Sequence, residues 1–243
     1  IAAPAGPAPL VVMPHGGPEM RDRVDFDGMA QAFAAQGWLV LQPNFRGSSG
    51  YGRRFAEAGY RQWSKRMQDD VTDCLTDLVK QGIADRERVV IYGARYGGYA
   101  ALAGAIVTPE LYRAAVSLAG VSDLDLFLKY TQRKGGVDSE QYEHWVRRMG
   151  DPATDAAALA AASPRRRASE IRIPILLMHG SADQVVPITQ SRIMKEALEG
   201  AGKSVRLTTF EGEDHSAWDE VNWRRQAEEA IAFFRPYLTR RAE

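Results

Sequence analysis

Three short stretches of the chain carry side chains able to do chemistry together. In VVIYGARYGGYAAL (89–102) an apolar run passes into Gly93-Ala94-Arg95-Tyr96-Gly97, the spacing of a sharp strand-to-helix turn built to present a nucleophile, with arginine at its centre. Such a turn strains its central residue by about 1–3 kcal/mol and lifts that side chain clear of the sheet. HGSADQVVP (179–187) places Asp183 just beyond a second apolar run, and EGEDHSAW (211–218) places His215 beyond a third. A carboxylate that orients an imidazole, which in turn takes a proton from a nucleophile, is the chemistry of acyl transfer. A fourth stretch, His15-Gly16-Gly17-Pro18, has two glycines able to turn amides toward an oxyanion, joined by the amide of Tyr96 just after the elbow residue.

Arginine changes what this set can do. A guanidinium has no usable lone pair and stays protonated, with a pKa above ~12, so His215 has nothing to activate at position 95. Covalent catalysis by Arg95 is therefore excluded, and loss of the nucleophile costs a serine protease roughly 10⁶-fold in kcat. The side chain crowds the volume of a scissile carbonyl. It is long enough to fold back onto Asp183, or to hold the carboxylate of a peptide or product with two N–H groups. Two functional classes follow. One is a pseudoenzyme that binds without turnover; the other is an acyl-transfer enzyme whose nucleophile has been replaced.

The elements that must position these loops are legible as alternating runs. Buried strands are expected at 9–14, 38–43, 88–93, 114–120, 174–180 and 205–212, where short apolar segments are rich in β-branched residues. Between them lie stretches of helical length and pattern at 25–37, 69–82, 96–107, 188–202 and 221–238. The alternation argues for an α/β architecture, a mainly parallel sheet with helices on both faces, whose functional groups gather beyond the carboxyl ends of the strands. Residues 121–170 break the alternation and read as a helical excursion over one end of the sheet. PRRR (164–167) reads as a solvated face, and Cys74 as a small core residue of a helix.

Composition narrows the class. With 243 residues and 45% hydrophobic content the chain supports one large domain, expected to span 1–243. Thirty-one basic residues balance 31 acidic ones, which favours a peptide or small ester or amide ligand over nucleic acid or an anionic membrane. No apolar run approaches the ~18 residues of a membrane span, so the chain reads as soluble, with the cytoplasm favoured and the compartment otherwise open. Nothing in the pattern calls for a metal or cofactor. The opening IAAPAGPAP resembles a linker entering a strand, which leaves room for an upstream segment.

The order of elbow, acid and histidine at 95, 183 and 215 is that of the α/β-hydrolase fold. Together with HGGP, QPNFRGSSGYG (42–52), YGARYGGYAAL, SP followed by IRIPILLMHGSADQVVP, and GEDH, it resembles the prolyl oligopeptidase family of serine peptidases, the S9 group, especially its dipeptidyl-peptidase and acylaminoacyl-peptidase branches. The resemblance covers about residues 9–237. It implies a peptidase catalytic domain, usually preceded by a β-propeller that filters substrates by size. Carried over, it gives Asp183 the orienting role, His215 the general-base role, and Gly17 and Tyr96 the oxyanion amides. It also implies an apolar pocket from Leu124, Phe127, Tyr130 and Val186, with Trp218 as a cap. The chain departs from the family pattern at Arg95, where a serine is expected.

Overall fold

The computed structural model describes residues 6–216 and 218–239. Its six strands are β1 (Ala8–Val12), β2 (Leu39–Leu41), β3 (Ala84–Ala94), β4 (Ala115–Leu118), β5 (Ile175–Gly180) and β6 (Val205–Phe210). They form one sheet of order β2-β1-β3-β4-β5-β6, and every neighbouring pair is parallel. The helices are α1 (Gly28–Ala34), α2 (Arg53–Glu57), α3 (Arg66–Lys80), α4 (Tyr96–Val107), α5 (Leu124–Gly135), α6 (Glu140–Met149), α7 (Ala156–Ala161), α8 (Thr189–Gly200) and α9 (Glu220–Leu238).

Period-two alternation along the strands divides the core between two layers. Leu10, Val12, Val89, Ile91 and Leu177 face one side, where they meet Met67, Val71 and Leu75 of α3, the buried length of α4, and Met194 and Leu198 of α8. Val11, Val90, Tyr92, Val116 and Met178 face the other, against Phe33 of α1 and Ala230 and Phe234 of α9. Each large side chain removed from water in this way contributes about 1.5–3 kcal/mol. Almost all of α4 is buried, because its small and apolar residues are covered on the side away from the sheet as well.

The strand order reverses between β1 and β3, since the chain moves outward to β2 and then crosses back. A crevice opens at the carboxyl ends of strands that flank such a switch point. The loop after β1 carries His15, Gly16 and Gly17, and the turn after β3 carries Arg95, so the fold brings both to the same crevice. On the other side of β4, the pairing of Gly180 with Phe210 ends β5 and β6 in register, and their loops leave the sheet side by side.

From β4 to β5 the described chain runs through α5, α6, α7 and a 3-10 helix at Pro164–Glu170, with no strand between. Gln190 of α8 anchors its start: the side-chain oxygen accepts from the amides of Ser122 and Asp123, both at 2.8 Å. PRRR is not a purely solvated face. Arg165 and Arg166 approach the fully buried carboxylate of Asp123 at 3.1 and 3.5 Å, because Asp123 caps α5 from inside and needs a counter-charge there. Cys74, expected in the core, is exposed. The buried stripe of α3 is Met67, Val71 and Leu75, at four-residue spacing, and Cys74 stands one position off it.

Candidate active site

The turn after β3 is shaped by steric necessity. Arg95 has φ 61° and ψ −119°, a conformation that L-residues avoid, and α4 begins at the next residue. A Cβ on Gly93 would lie 2.1 Å from the carbonyl oxygen of Gly97, and a Cβ on Gly97 would lie 2.1 Å from the carbonyl oxygen of Pro14. Only glycine fits at both positions. The amide of Arg95 donates to the Leu118 carbonyl at 2.8 Å, which ties the turn to the end of β4.

Asp183 and His215 meet. Nδ1 of His215 donates to Oδ2 of Asp183 at 2.7 Å, while Oδ1 accepts from the amides of Val185 and Val186 at 2.8 and 2.9 Å. Burial would push the Asp183 carboxyl up, but hydrogen bonding from the His179 and His215 imidazoles, the His215 charge and the Val186 amide outweigh it and hold the carboxyl well below the usual carboxylate range. His179 was not anticipated from sequence. It is fully buried, with Nε2 donating to the Val186 carbonyl at 2.8 Å and lying 3.5 Å from Oδ2 of Asp183, and Nδ1 2.7 Å from the Ser191 hydroxyl. Its only signal was its place at the end of an apolar run, four residues before the acid.

Arg95 does not fold back onto Asp183. Its Nη2 donates instead to the backbone carbonyl of His215 at 3.0 Å. The Asp183 carboxylate is already filled by an imidazole and two amides, which leaves the guanidinium the nearby carbonyl. His15 is a structural member of the loop after β1: its ring stacks on Phe45 at 4.4 Å and Nε2 is 2.8 Å from the Ser48 hydroxyl. Burial pushes its imidazole down, toward the neutral form.

A cavity of about 180 Å³ opens beside Arg95. Gly17, Tyr96, Phe127, Val186 and His215 line it, as do Met20, Trp63, Val121, Trp145 and Val185, which the sequence pattern did not single out. Leu124 and Tyr130 are not among the lining residues: Leu124 is fully buried in the core, and the Tyr130 hydroxyl donates to the Gln184 carbonyl at 2.8 Å. Trp218 packs on Phe210, with ring centroids 4.7 Å apart, and donates to the Asp214 carbonyl, so it too stands outside the lining. Among the described residues there is no cluster of three or more His, Cys, Asp or Glu suited to a metal ion.

The model of the prolyl oligopeptidase family, Peptidase_S9, matches residues 24–241. This chain belongs to the prolyl oligopeptidase family. Among S9 relatives, it is 37% identical over 211 residues to dipeptidyl aminopeptidase BIII of Pseudoxanthomonas mexicana, covering 86% of this chain and 30% of that protein. A puromycin-hydrolyzing peptidase of Mycobacterium tuberculosis superposes with a TM-score of 0.89 at 33% identity, over 99% of this chain and 36% of the other. An acylaminoacyl peptidase in complex with Z-Gly-Gly-Phe-chloromethyl ketone superposes with a TM-score of 0.88 at 25% identity, over 98% of this chain and 38% of the other. The parallel sheet is thus the α/β-hydrolase sheet of the S9 peptidases, and the chain spans about a third of the length of the relatives it matches. No helix among the described residues is long and apolar enough to cross a membrane.

Proposed function

We propose that this S9 domain binds a peptide-like ligand without hydrolysing it, its chemistry switched off at Arg95. The observation that carries the reading is the residue at the elbow. Arg95 occupies the strained turn at φ 61°, where the attacking atom of an acyl transfer has to stand, and its guanidinium is engaged by the His215 carbonyl. In this reading Asp183 orients His215, His215 is the displaced general base, and Gly17 and Tyr96 are the oxyanion donors, all of them retained around a missing nucleophile.

A second reading is favoured by that retention: the 2.7 Å Asp183–His215 hydrogen bond supports an active serine peptidase or acylpeptide hydrolase in a parent form that has serine at 95 and cleaves small peptides. An upstream β-propeller that restricts ligand size belongs to either reading, supported by relatives about three times as long as this chain. A serine-directed phosphonate probe and a small activated ester test both. The Arg95 protein is expected to remain unlabelled, and Arg95→Ser is expected to label and turn over the ester. Labelling of the Arg95 protein that vanishes on mutating a different serine would overturn the first reading. A folded Arg95→Ser protein that does not label would count against the second.

A further inference from the structure

We propose that the cavity beside Arg95 is a receptor for the free carboxylate of a peptide or acylated amino acid that ends in an apolar, preferably aromatic, residue. This rests on the reading of the site as a binding pocket, and names the ligand chemistry it selects. Most other partly buried arginines among the described residues meet carboxylates: Arg46 with Asp70 at 2.6 Å, Arg88 with Asp85 at 2.8 Å, Arg165 with Asp123 at 3.1 Å, Arg167 with Glu170 at 2.7 Å, and Arg113 with Glu87; Arg21, whose acceptor is the Gly50 carbonyl at 3.4 Å, is the exception, and the buried Arg148 meets Glu19. Among the described residues Arg95, also partly buried, forms no ion pair and has one acceptor, the His215 carbonyl. Most of its five N–H donors are left for a ligand, and a cation held against apolar walls is stabilised most by an anion that offers two oxygens.

The cavity supplies the other half of the recognition. Among the described residues no carboxylate lines it, so the lining offers no counter-charge to a cationic group such as a peptide amino terminus. Its volume of about 180 Å³ is below the roughly 300–1,000 Å³ of sites for drug-sized ligands, which fits a single side chain. Aromatic rings form its walls: Trp63 meets Tyr96 edge-on at 4.7 Å, and Phe127 meets Trp145 edge-on at 5.3 Å. An aromatic or large aliphatic side chain enters this box while its own α-carboxylate stays at the mouth with the guanidinium. The same carboxylate on an internal peptide bond would be an amide, which offers one oxygen and no charge.

The test is calorimetric titration with N-acetyl-phenylalanine and, separately, with its amide. The acid is expected to bind at least tenfold tighter than the amide, and N-acetyl-glycine, lacking the side chain, at least tenfold weaker than N-acetyl-phenylalanine. Arg95→Met is expected to erase the preference for acid over amide and Arg95→Lys to keep part of it; circular dichroism confirms folding, and Arg95→Gln serves as a second neutral variant. Equal affinities for acid and amide, no saturable binding of either, or a preference that survives in both neutral variants would overturn the proposal. The phosphonate experiment reads a different failure: labelling of the Arg95 protein removes the silenced-enzyme reading, whereas equal acid and amide affinities without labelling remove only the carboxylate receptor.

Discussion

The guanidinium of Arg95 donates to the backbone carbonyl of His215 at 3.0 Å, across 120 residues of sequence. The contact joins the elbow directly to the loop that carries the imidazole, where a nucleophile would be expected to meet the imidazole ring itself. It leaves the Asp183–His215 hydrogen bond in place beside a guanidinium that stays protonated.

With serine installed at 95, the acid should matter as much as the base. In the Arg95→Ser protein, adding Asp183→Asn is expected to slow turnover of an activated ester by roughly 10⁴-fold, because the amide no longer holds His215 in the required tautomer. Near-ultraviolet circular dichroism separates this from unfolding. Equal turnover with and without Asp183→Asn would remove Asp183 from the machinery.

Gly97→Ala probes the elbow. The new Cβ would meet the Pro14 carbonyl oxygen at 2.1 Å, a contact between two backbone segments that cannot both yield. A destabilisation of about 2–4 kcal/mol is expected, read as a lowered midpoint in urea. Gly202→Ala, at φ 69° but in open space, is the control for conformational strain alone and should cost less.

Asp22 sets a pH dependence away from the site. Burial first, and Asp27 second, push its carboxyl up to about 6 from an ordinary value of 3.8. The folded state therefore holds this proton more tightly than the unfolded chain does, and the stability gained is complete below the ordinary value and lost as pH rises through about 6. Asp22→Asn is expected to flatten that fall and to raise Tm at neutral pH by about 2–4 °C, the size of a ~1 kcal/mol change in a chain of this length once solvent screening is allowed for. An unchanged melting profile from acid to neutral pH would refute it.

Gln190→Leu tests the anchor beneath the cavity. The substitution leaves the buried amides of Ser122 and Asp123 without their acceptor and should cost about 2–4 kcal/mol. Because Val121 of the same loop lines the cavity, affinity for N-acetyl-phenylalanine should weaken as well. Full stability in a thermal melt would show that the loop is held by other contacts.

What the sequence determined by itself was whatever is encoded locally. Apolar β-branched runs of strand length specify the six strands, since side-chain period and propensity act over a few residues, and α4 falls on the expected 96–107 because the glycines of the elbow and the small residues after it allow nothing else. The order of Arg95, Asp183 and His215 was equally legible, as was the chemical incapacity of a guanidinium, which needs no coordinates. Tertiary structure decided which groups meet. Arg95 reaches the His215 carbonyl because the Asp183 carboxylate is already filled, a competition among three loops that no local pattern records. Trp63 and Trp145 enter the cavity while Leu124 turns into the core and Tyr130 toward Gln184, because helical periodicity marks the faces of a helix without saying which partner each will find. The pairing of Arg165 and Arg166 with a buried Asp123 has the same origin: a charge run becomes part of the interior only when a packed element places an uncompensated carboxylate within its reach.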